Sequence, residues 1–372
     1  MPMRRFIAVF FLLGSLSLLG CDPGEIDIRP SAAGPEATLT VVMDSTLWQA
    51  SPGEAVNYHV APYMGTLPAP ERLFDVRHMD LTSLPRLEEA KTYKNVLVAG
   101  VINDSSNVSR FLRSSFSADA LTSIENGNAA YVQRPSLWRR NQMVIYLAAR
   151  DSSSLADAIA SRSDDMHYAY NTLIRQRTEV DMFDRARQPE LEEQLMQKHG
   201  FAVNMQHDYL IATDTTNFVW LRRILSDTWR SVFVYYEENS SPATLTPEWV
   251  YATRDRLTKA YLQGNQGGFP MLYQYQRMET ENIDFQGHYA YETRGLWQMV
   301  GEDENGDLFQ YGGGGPFVNY SFYDEDTRRL YMIDGMVFAP SYPKREFLRQ
   351  LEVIAYTFRT QAEVSAQAAA SP

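Results

Sequence analysis

Apolar positions in the first half of the chain fall into short runs separated by polar turns, which is the pattern of β-strands. A helix that carries Trp48 and Val56 is predicted after the first run, and a later helix begins at Ser105 or Ser106, either of which can cap it. The strands are predicted at 37–44, 72–81, 95–102 and 141–150. This β-α-β-β-α-β order favours an α+β sheet covered on one face by helices, of ferredoxin-like type.

A long helical segment is predicted to join the two halves of the chain. It begins at Asp151 or Ser152, and Pro189 suits the first turn of a further helix that ends at Gly200 after a basic last turn. Its apolar residues recur at steps of three, four and seven, which places them on one helix face: Leu155, Ile159, Met166, Tyr170 and Leu173.

Strands with alternating side chains dominate the second half. One internal helix has Thr246 as its cap, Pro247 at its first position and Gly264 at its end. Strands are predicted at 217–224, 231–238, 288–297, 317–324 and 330–340. The closing helix follows Pro343 and is predicted to bury Phe347, Leu351, Ile354 and Phe358. The element order predicts an antiparallel α-β-α sandwich that is similar to the Mog1/PsbP fold.

The same pattern divides the chain into six segments, because about 320 residues exceed what one hydrophobic core usually holds. They are a signal peptide (1–20), a flexible tether (21–37), an N-terminal α+β domain (38–150), a helical connector (151–200), a C-terminal α+β domain (201–360) and a disordered tail (361–372).

The first twenty residues have the features of a lipoprotein signal. Arg4 and Arg5 precede an apolar run that is too short to span a membrane, and the run ends in Leu-Leu-Gly-Cys. This ending resembles the lipobox of bacterial lipoproteins, which implies cleavage between Gly20 and Cys21 and acylation of Cys21. Since Cys21 is the only cysteine, the mature chain has no disulfide and no cysteine nucleophile. We expect a lipid anchor that faces the periplasm, with the outer membrane favoured over the inner one.

Charge narrows the classes of partner. Removal of residues 1–20 leaves 32 basic and 46 acidic residues, so the net charge changes from −12 to −14. An acidic body lacks the basic surface that nucleic acids require, and we expect no nucleic-acid partner. The expected partners are the membrane, through the lipid, and an envelope protein or peptide.

Several short clusters together resemble one family. They are "VVMD" before Trp48, "LFDV" (73–76), "NVLV" (95–98), "FVWLRR" (218–223), "RGLW" (294–297), "GGPF" (314–317), "GMVFAP" (335–340) and "KREFLRQLE" (344–352). In this order they are similar to a Bacteroidota lipoprotein family, domain of unknown function 4837, over roughly 39–358. The resemblance implies an envelope lipoprotein and supplies no activity and no catalytic residue.

Signatures of catalysis and of metal binding are weak. The histidines (His59, His78, His167, His199, His207 and His288) show no spacing that places two of them on one helix face, so neither a metal nor a cofactor is expected. No GxSxG or SxxK motif occurs. A hydrolase would need dispersed carboxylates, of which Asp44, Asp214 and Glu292 are the candidates.

Aromatic residues give the remaining candidate site. Tyr289, Tyr291 and Trp297 share one strand face by parity, and Glu292 and Arg294 share the other. They could form an aromatic platform with polar selectors for a glycan or peptide, but a core face beneath a helix is the favoured interpretation. Trp220 and Arg222 share a face of another strand and complete the candidate ligand-binding set.

The glycine run at 312–315 is a candidate phosphate loop only at first sight. No lysine and no helix follow it, and an acidic turn precedes it, so we predict a mobile hairpin connection beside Trp297. The leading hypothesis is a non-enzymatic envelope lipoprotein that binds a protein or peptide. A periplasmic hydrolase of an envelope polymer and a carrier of glycans or small ligands are the alternatives.

Overall fold

Two large β-sheets organise the chain, one in each half, in a computed structural model that describes residues 27–264 and 267–370. The predicted signal peptide and lipidation site, including Gly20 and Cys21, lie outside the described residues. No helix among the described residues is long and apolar enough to cross a membrane.

The N-terminal sheet has five strands: β1 (Thr38–Val42), β2 (Asp75–Met79), β3 (Asn95–Val101), β4 (Ala130–Pro135) and β5 (Met143–Ala149). Helices α1 (Ser45–Trp48), α2 (Ser51–Ala55), α3 (Leu84–Ala90), α4 (Asn107–Ser115) and α5 (Ala118–Glu125) connect them, with a π-helical turn at Val56–Val60. The strand order is β2-β1-β3-β5-β4, and every neighbouring pair is parallel except β4 with β5.

This topology corrects the ferredoxin-like part of the prediction, while the mixed α+β class is confirmed. The physical reason is burial on both faces. β3 is buried at all but its last position and β5 along its whole length, because separate hydrophobic clusters with helices lie above and below the sheet. Strands buried on both faces are typical of parallel sheets, which need helical crossovers.

The helices predicted as a connector are α6 (Ser152–Ser161), α7 (Ser163–Phe183) and α8 (Pro189–His199). Asp151 caps α6 through the backbone N–H of Ser154 at 2.8 Å, and Gly200 ends α8 in the left-handed conformation, as predicted. However, α6 and α7 do more than connect, because their apolar face, including Leu155, Ile159 and Tyr170, packs on the N-terminal sheet.

The C-terminal sheet contains β7 (Leu210–Asp214), β8 (Phe218–Ile224), β9 (Trp229–Glu237), β10 (Phe269–Leu272), β11 (Glu279–Phe285), β12 (His288–Glu302), β13 (Leu308–Asp324) and β14 (Arg329–Phe338). Its order is β10-β12-β13-β14-β9-β8-β7, with β11 also on β12, and all pairs are antiparallel. A small sheet pairs β6 (Phe201–Ala202) with β15 (Arg359–Thr360).

Helices cover both faces of this sheet, which confirms the predicted α-β-α sandwich. α9 (Pro247–Tyr261) packs on one face through Val250 and Leu257, and Thr246 caps it. α8 and α10 (Arg345–Ala355) pack on the other face through residues such as Leu195 and Leu351. A 3₁₀ turn at Pro242–Thr244 and helix α11 (Gln361–Ala370) complete the elements of the described residues.

The four glycines lie inside strand β13, and the prediction of a mobile hairpin connection is wrong. The pairing of β12 with β13 shifts between Gln298 and Val300, so the glycines form a bulge in which Gly312 and Gly313 have φ of 80° and 92°. A Cβ on Gly315 would overlap the carbonyl oxygen of Val337. Glycine is needed at Gly315 because the backbone of Val337 approaches too closely for a side chain.

Both flexible segments of the predicted layout contain ordered structure. The backbone N–H of Ala33 donates to Thr92, and Glu36 pairs with Arg177, so the end of the predicted tether is fixed to the N-terminal half. In the predicted tail, α11 begins with a capping box in which Thr360 and Glu363 each accept the other's backbone N–H. The alanine-rich composition of this segment, which lacks an apolar stripe, still favours a helix.

Candidate functional site

A concave surface of the described residues forms a cleft of about 740 Å³ between the two halves. The N-terminal half contributes the loop at 62–66 and one face of α7, and the C-terminal half contributes β11, β12 and α10. Clefts of this size between domains are typical ligand sites. We call it the interdomain cleft.

Three half-buried charges form the floor of the cleft: Glu292, Arg294 and Glu352. Arg294 Nε donates to Glu292 at 2.6 Å, and its Nη1 donates to Glu352 at 2.7 Å. Burial opposes the charge of Arg294, but the two carboxylates outweigh it and hold the pKa of Arg294 well above its usual range. Burial likewise opposes the ionisation of Glu292, and Arg294 reverses this and keeps the pKa of Glu292 below its usual range. Glu292 and Arg294 are therefore both ionised at neutral pH.

The start of α10 fixes the two halves around this floor. Glu71 accepts the backbone N–H groups of Lys344 at 2.8 Å and Arg345 at 3.0 Å, and so caps a helix of the other half. Arg345 pairs with Asp75 at 2.7 Å, and Arg349 donates to the carbonyl of Leu73 at 2.7 Å. We call Glu71, Asp75, Arg345 and Arg349 the interdomain clamp. Because these contacts join fixed elements, the cleft is preformed.

Arg175 extends from α7 into the same cleft. Its guanidinium lies over the ring of Tyr356, 3.7 Å from the ring centre. This stacking holds the group in place while its N–H donors stay available, because a guanidinium bonds through its edge.

The rim of the cleft carries exposed tyrosines and acids. Tyr63 is 59% exposed and Tyr168 is 75% exposed, although both are large apolar rings that folding normally buries at least in part. Glu281 and Asp284 of β11 line the opposite side and are also exposed. His167 of α7 also lines the cleft, its Nε2 lies 3.0 Å from the carbonyl oxygen of Val60, and burial lowers its pKa.

Two of the predicted site residues, Glu292 and Arg294, are brought together in this cleft. The predicted aromatic set lies on the opposite face of β12. Trp297 is only 1% exposed, beneath α9 and 5.2 Å from Trp229 between ring centres, so it cannot contact a ligand. Tyr291 is half-buried, and Tyr289 is 60% exposed beside a recess of about 300 Å³ at the β11–β12 hairpin. Of the three aromatic residues, only Trp297 therefore lies in the core beneath the helix.

Trp220 and Arg222 lie on β8, away from the interdomain cleft. Trp220 is half-buried against the cluster beneath α9, and Arg222 is exposed with its guanidinium 5.4 Å from the Trp220 ring centre. Arg222 thus covers the ring of Trp220 at the surface of the sheet, and the two residues do not line the interdomain cleft.

The three candidate carboxylates do not converge. Asp44 caps α1 by accepting the backbone N–H of Thr46 at 2.9 Å. Asp214 is held by His199 at 2.9 Å and Lys198 at 2.7 Å on β7, which is five strands from Glu292 on β12, or about 24 Å away. The hypothesis of a hydrolase built from these groups is therefore wrong. Within the described ranges, no group of three or more histidine, cysteine or acidic side chains could hold a metal.

Sequence reasoning missed Arg175, Glu352 and Arg349. A signal existed for two of them, because Arg345, Arg349 and Glu352 recur at steps of four and three and form a charged stripe on α10. Such a stripe ordinarily indicates a solvated face, whereas here it faces the other half of the chain.

The fold and the cleft together define an α+β protein whose two halves enclose a preformed polar cleft. Residues 188–357 match the model of the family described as "Domain of unknown function (DUF4837)". Residues 32–183 match a second model, "Domain of unknown function (DUF8532)". The match to DUF4837 is thus shorter than the expected 39–358, since the N-terminal half matches another model.

Comparison with solved structures gives weak likenesses. The Ran-binding protein Mog1p of Saccharomyces cerevisiae has a TM-score of 0.29 and 12% identity, over 45% of this chain and 92% of that one. A Mog1 point mutant gives the same score and identity over 43% and 90%. A Bacteroides thetaiotaomicron VPI-5482 protein has a TM-score of 0.22 and 8% identity, over 43% and 45%. No curated protein matches the chain.

Proposed function

We propose that this protein is a lipid-anchored, non-enzymatic binding protein of the cell envelope that holds a peptide or protein segment in the interdomain cleft. One observation carries the proposal: a preformed cleft of about 740 Å³, with exposed tyrosines at its rim and a charged floor. Tyrosine is enriched where proteins bind proteins, because its ring offers a large contact area at low entropic cost.

The floor charges suit binding better than catalysis. A general base or acid works best with a pKa near the working pH, which buried carboxylates reach when they lack a cation. Glu292 does not meet this condition, because Arg294 holds its pKa below the usual range. An ionised carboxylate that is already bonded to an arginine orients a ligand and is a poor proton acceptor.

Charge also favours a peptide over a neutral glycan. The cleft has the cationic Arg175 on one side and the anionic Glu281 and Asp284 on another. A peptide carries groups of both signs, whereas an uncharged sugar carries neither. Buried or half-buried charges that a ligand leaves unpaired weaken binding, so the neutral glycan is the poorer match.

The cleft proposal is tested by photocrosslinking in cells. A photoreactive phenylalanine analogue at Tyr168 is expected to give a defined crosslinked product, and one at Tyr58, which is 76% exposed and outside the cleft, is expected to give none. The change Thr172→Trp, which fills the cleft, should remove the Tyr168 product. Equal products at both positions, or a Tyr168 product that survives Thr172→Trp, would contradict the proposal.

The anchor is tested separately by Cys21→Ser. Since the lipid is attached to the cysteine thiol, this variant is expected to lose labelling by a fatty-acid analogue and to accumulate as an unprocessed precursor. The matched control is Ser17→Ala, which lies within the apolar run and leaves the thiol intact. Normal labelling and processing of Cys21→Ser would refute the anchor.

A further inference from the structure

Almost every arginine that lines the interdomain cleft is already neutralised by a carboxylate of this chain. Arg277 pairs with Glu279 at 2.9 Å, Arg294 with Glu292 and Glu352, and Arg345 and Arg349 with Glu346 at 2.8 and 3.2 Å. Arg175 is the exception: none of the described carboxylates lies within ion-pair distance of it.

Arg175 is nevertheless held in a defined place. Its guanidinium stacks on Tyr356 at 3.7 Å, and it is half-buried in the wall of the cleft. It is also close enough to Glu292 to help lower the pKa of that carboxyl group, although the two do not pair. A cation that is fixed, partly desolvated and unpaired has lost hydration without gaining a partner, which is unfavourable unless a ligand supplies one.

We propose that Arg175 binds a carboxylate of the peptide that occupies the cleft. This inference rests on the proposed function and names the chemistry that the cleft recognises. A planar guanidinium that stacks on a ring presents two parallel N–H groups, which match the two oxygens of a carboxylate. Glu281, for which no hydrogen bond or ion pair with a described residue is found, lies across the cleft and suits a basic group of the same peptide.

The experiment uses the full mature chain and three pools of N-acetylated tripeptides. The first pool has a free C-terminal carboxylate and no acidic side chains. The second is identical but amidated, and the third is amidated with glutamate at the central position. Affinity selection by mass spectrometry ranks the pools, and calorimetry gives Kd for the tightest member of each. The proteins are wild type, Arg175→Gln, Arg175→Lys, the cleft-filling Thr172→Trp and, as a control, Arg185→Gln, an arginine just beyond the end of α7 that is 93% exposed.

We expect the free-carboxylate pool, the glutamate pool or both to bind the wild type at least about tenfold more tightly than the plain amidated pool, since a charge-assisted hydrogen bond contributes that much. The two carboxylate pools distinguish a chain terminus from an acidic side chain. Arg175→Gln should abolish the preference, Arg175→Lys should retain part of it, and Arg185→Gln should retain it fully.

Equal binding of all three pools, with loss in Thr172→Trp, would overturn the carboxylate assignment and leave the proposed function standing. A preference that Arg175→Gln does not change would overturn it as well. If no pool binds the wild type, both the assignment and the proposed function fail.

Discussion

Arg294 shows how burial changes what a single charge contributes to the stability of the fold. Its side chain is 17% exposed and bonds two carboxylates that are 20% and 15% exposed, so no partner is free to be solvated instead. Exposed pairs such as Arg86 with Glu89, at 49% and 43%, contribute little because water competes for both ends. Removing one member of a buried group leaves the others with uncompensated charge.

The change Arg294→Met is therefore expected to destabilise the protein by about 3 kcal/mol, because Glu292 and Glu352 stay buried and lose their shared cation. Urea denaturation gives the free energy of unfolding. Arg86→Met is the control and should leave the denaturation midpoint unchanged. If Arg294→Met lowers the free energy of unfolding no more than the control does, water already screens the charges on the floor of the cleft.

Some residues of the cleft could be found from the sequence and others could not. Strand parity placed Glu292 and Arg294 on one face, and the structure puts them in one hydrogen-bonded pair. Parity could not say that Glu352, 58 residues later, bonds the same arginine. Nor could it separate Arg175, which has no ion pair among the described residues, from neighbours such as Arg177 that pair within the core. Contacts between distant segments depend on how the two halves pack.

At the scale of elements, α10 takes its N-terminal cap from another part of the chain. Lys344 at its cap position offers no side-chain acceptor, and the carboxylate of Glu71 supplies one instead. A carboxylate at this end of a helix also interacts favourably with the helix dipole. The helix that forms one wall of the cleft thus depends on the N-terminal half for its first turn.

The change Glu71→Ala is expected to cost about 1–2 kcal/mol and to raise hydrogen exchange in the first turn of α10, since it removes both the cap and its charge. Exchange followed by mass spectrometry over 344–350 measures this. Glu71→Gln, which keeps an acceptor oxygen and loses the charge, should fall between wild type and alanine. Unchanged exchange in both variants would mean that packing alone holds this turn.

The docking of α11 is expected to depend on pH through His288 and Glu363, which lie 3.6 Å apart. Glu363 raises the pKa of His288, burial opposes it, and Asp324 and Asp326 add to the increase. The stabilisation by His288 is complete below its unfolded pKa of 6.5 and is lost as pH rises through the higher folded value. His288 lowers the pKa of Glu363, so that contribution is complete above 4.5 and is lost as pH falls through the folded value.

Stability should therefore be greatest between about pH 4.5 and 6.5 as far as this pair is concerned, by about 0.5 kcal/mol relative to pH 8.5. Urea denaturation of wild type and His288→Gln at pH 5.5 and 8.5 isolates the effect, because the other titrating groups are common to both. The difference between the two proteins should shrink at pH 8.5. A constant difference would contradict the assignment.

Element type was easier to predict than pairing direction. The patterns at 95–102 and 141–150 predict strands, and β3 and β5 lie within these ranges. Their parallel arrangement was not predicted, although seven consecutive buried positions in β5 favour burial on both faces. Strand β4 was missed because its last three residues are exposed and its pattern is weak. The direction of strand pairing depends on how the helices cross between strands, and the local sequence pattern of one strand carries no information about that connection.

For the whole molecule, the interdomain clamp decides whether the cleft is one rigid site or a gap between two mobile bodies. Arg345 bonds Asp75 and the carbonyl of Arg72, and Arg349 bonds the carbonyl of Leu73. Asp75 is 63% exposed, so its ion pair contributes little, and the carbonyl contacts matter more because their loss leaves acceptors unpaired in the interface. Interfaces between domains otherwise permit relative motion by default.

The double change Arg345→Ala with Arg349→Ala is therefore expected to uncouple the halves while both cores stay intact. Calorimetry should resolve two thermal transitions where the wild type shows one, and small-angle scattering should show a larger radius of gyration. The control is Arg86→Ala with Arg222→Ala, which removes two exposed arginines that do not join the halves. Since the cleft walls come from both halves, uncoupling should also weaken peptide binding, even though Arg175 and the floor remain. A single transition and unchanged binding in the clamp variant would show that apolar packing between α7 and α10 is sufficient to form the site.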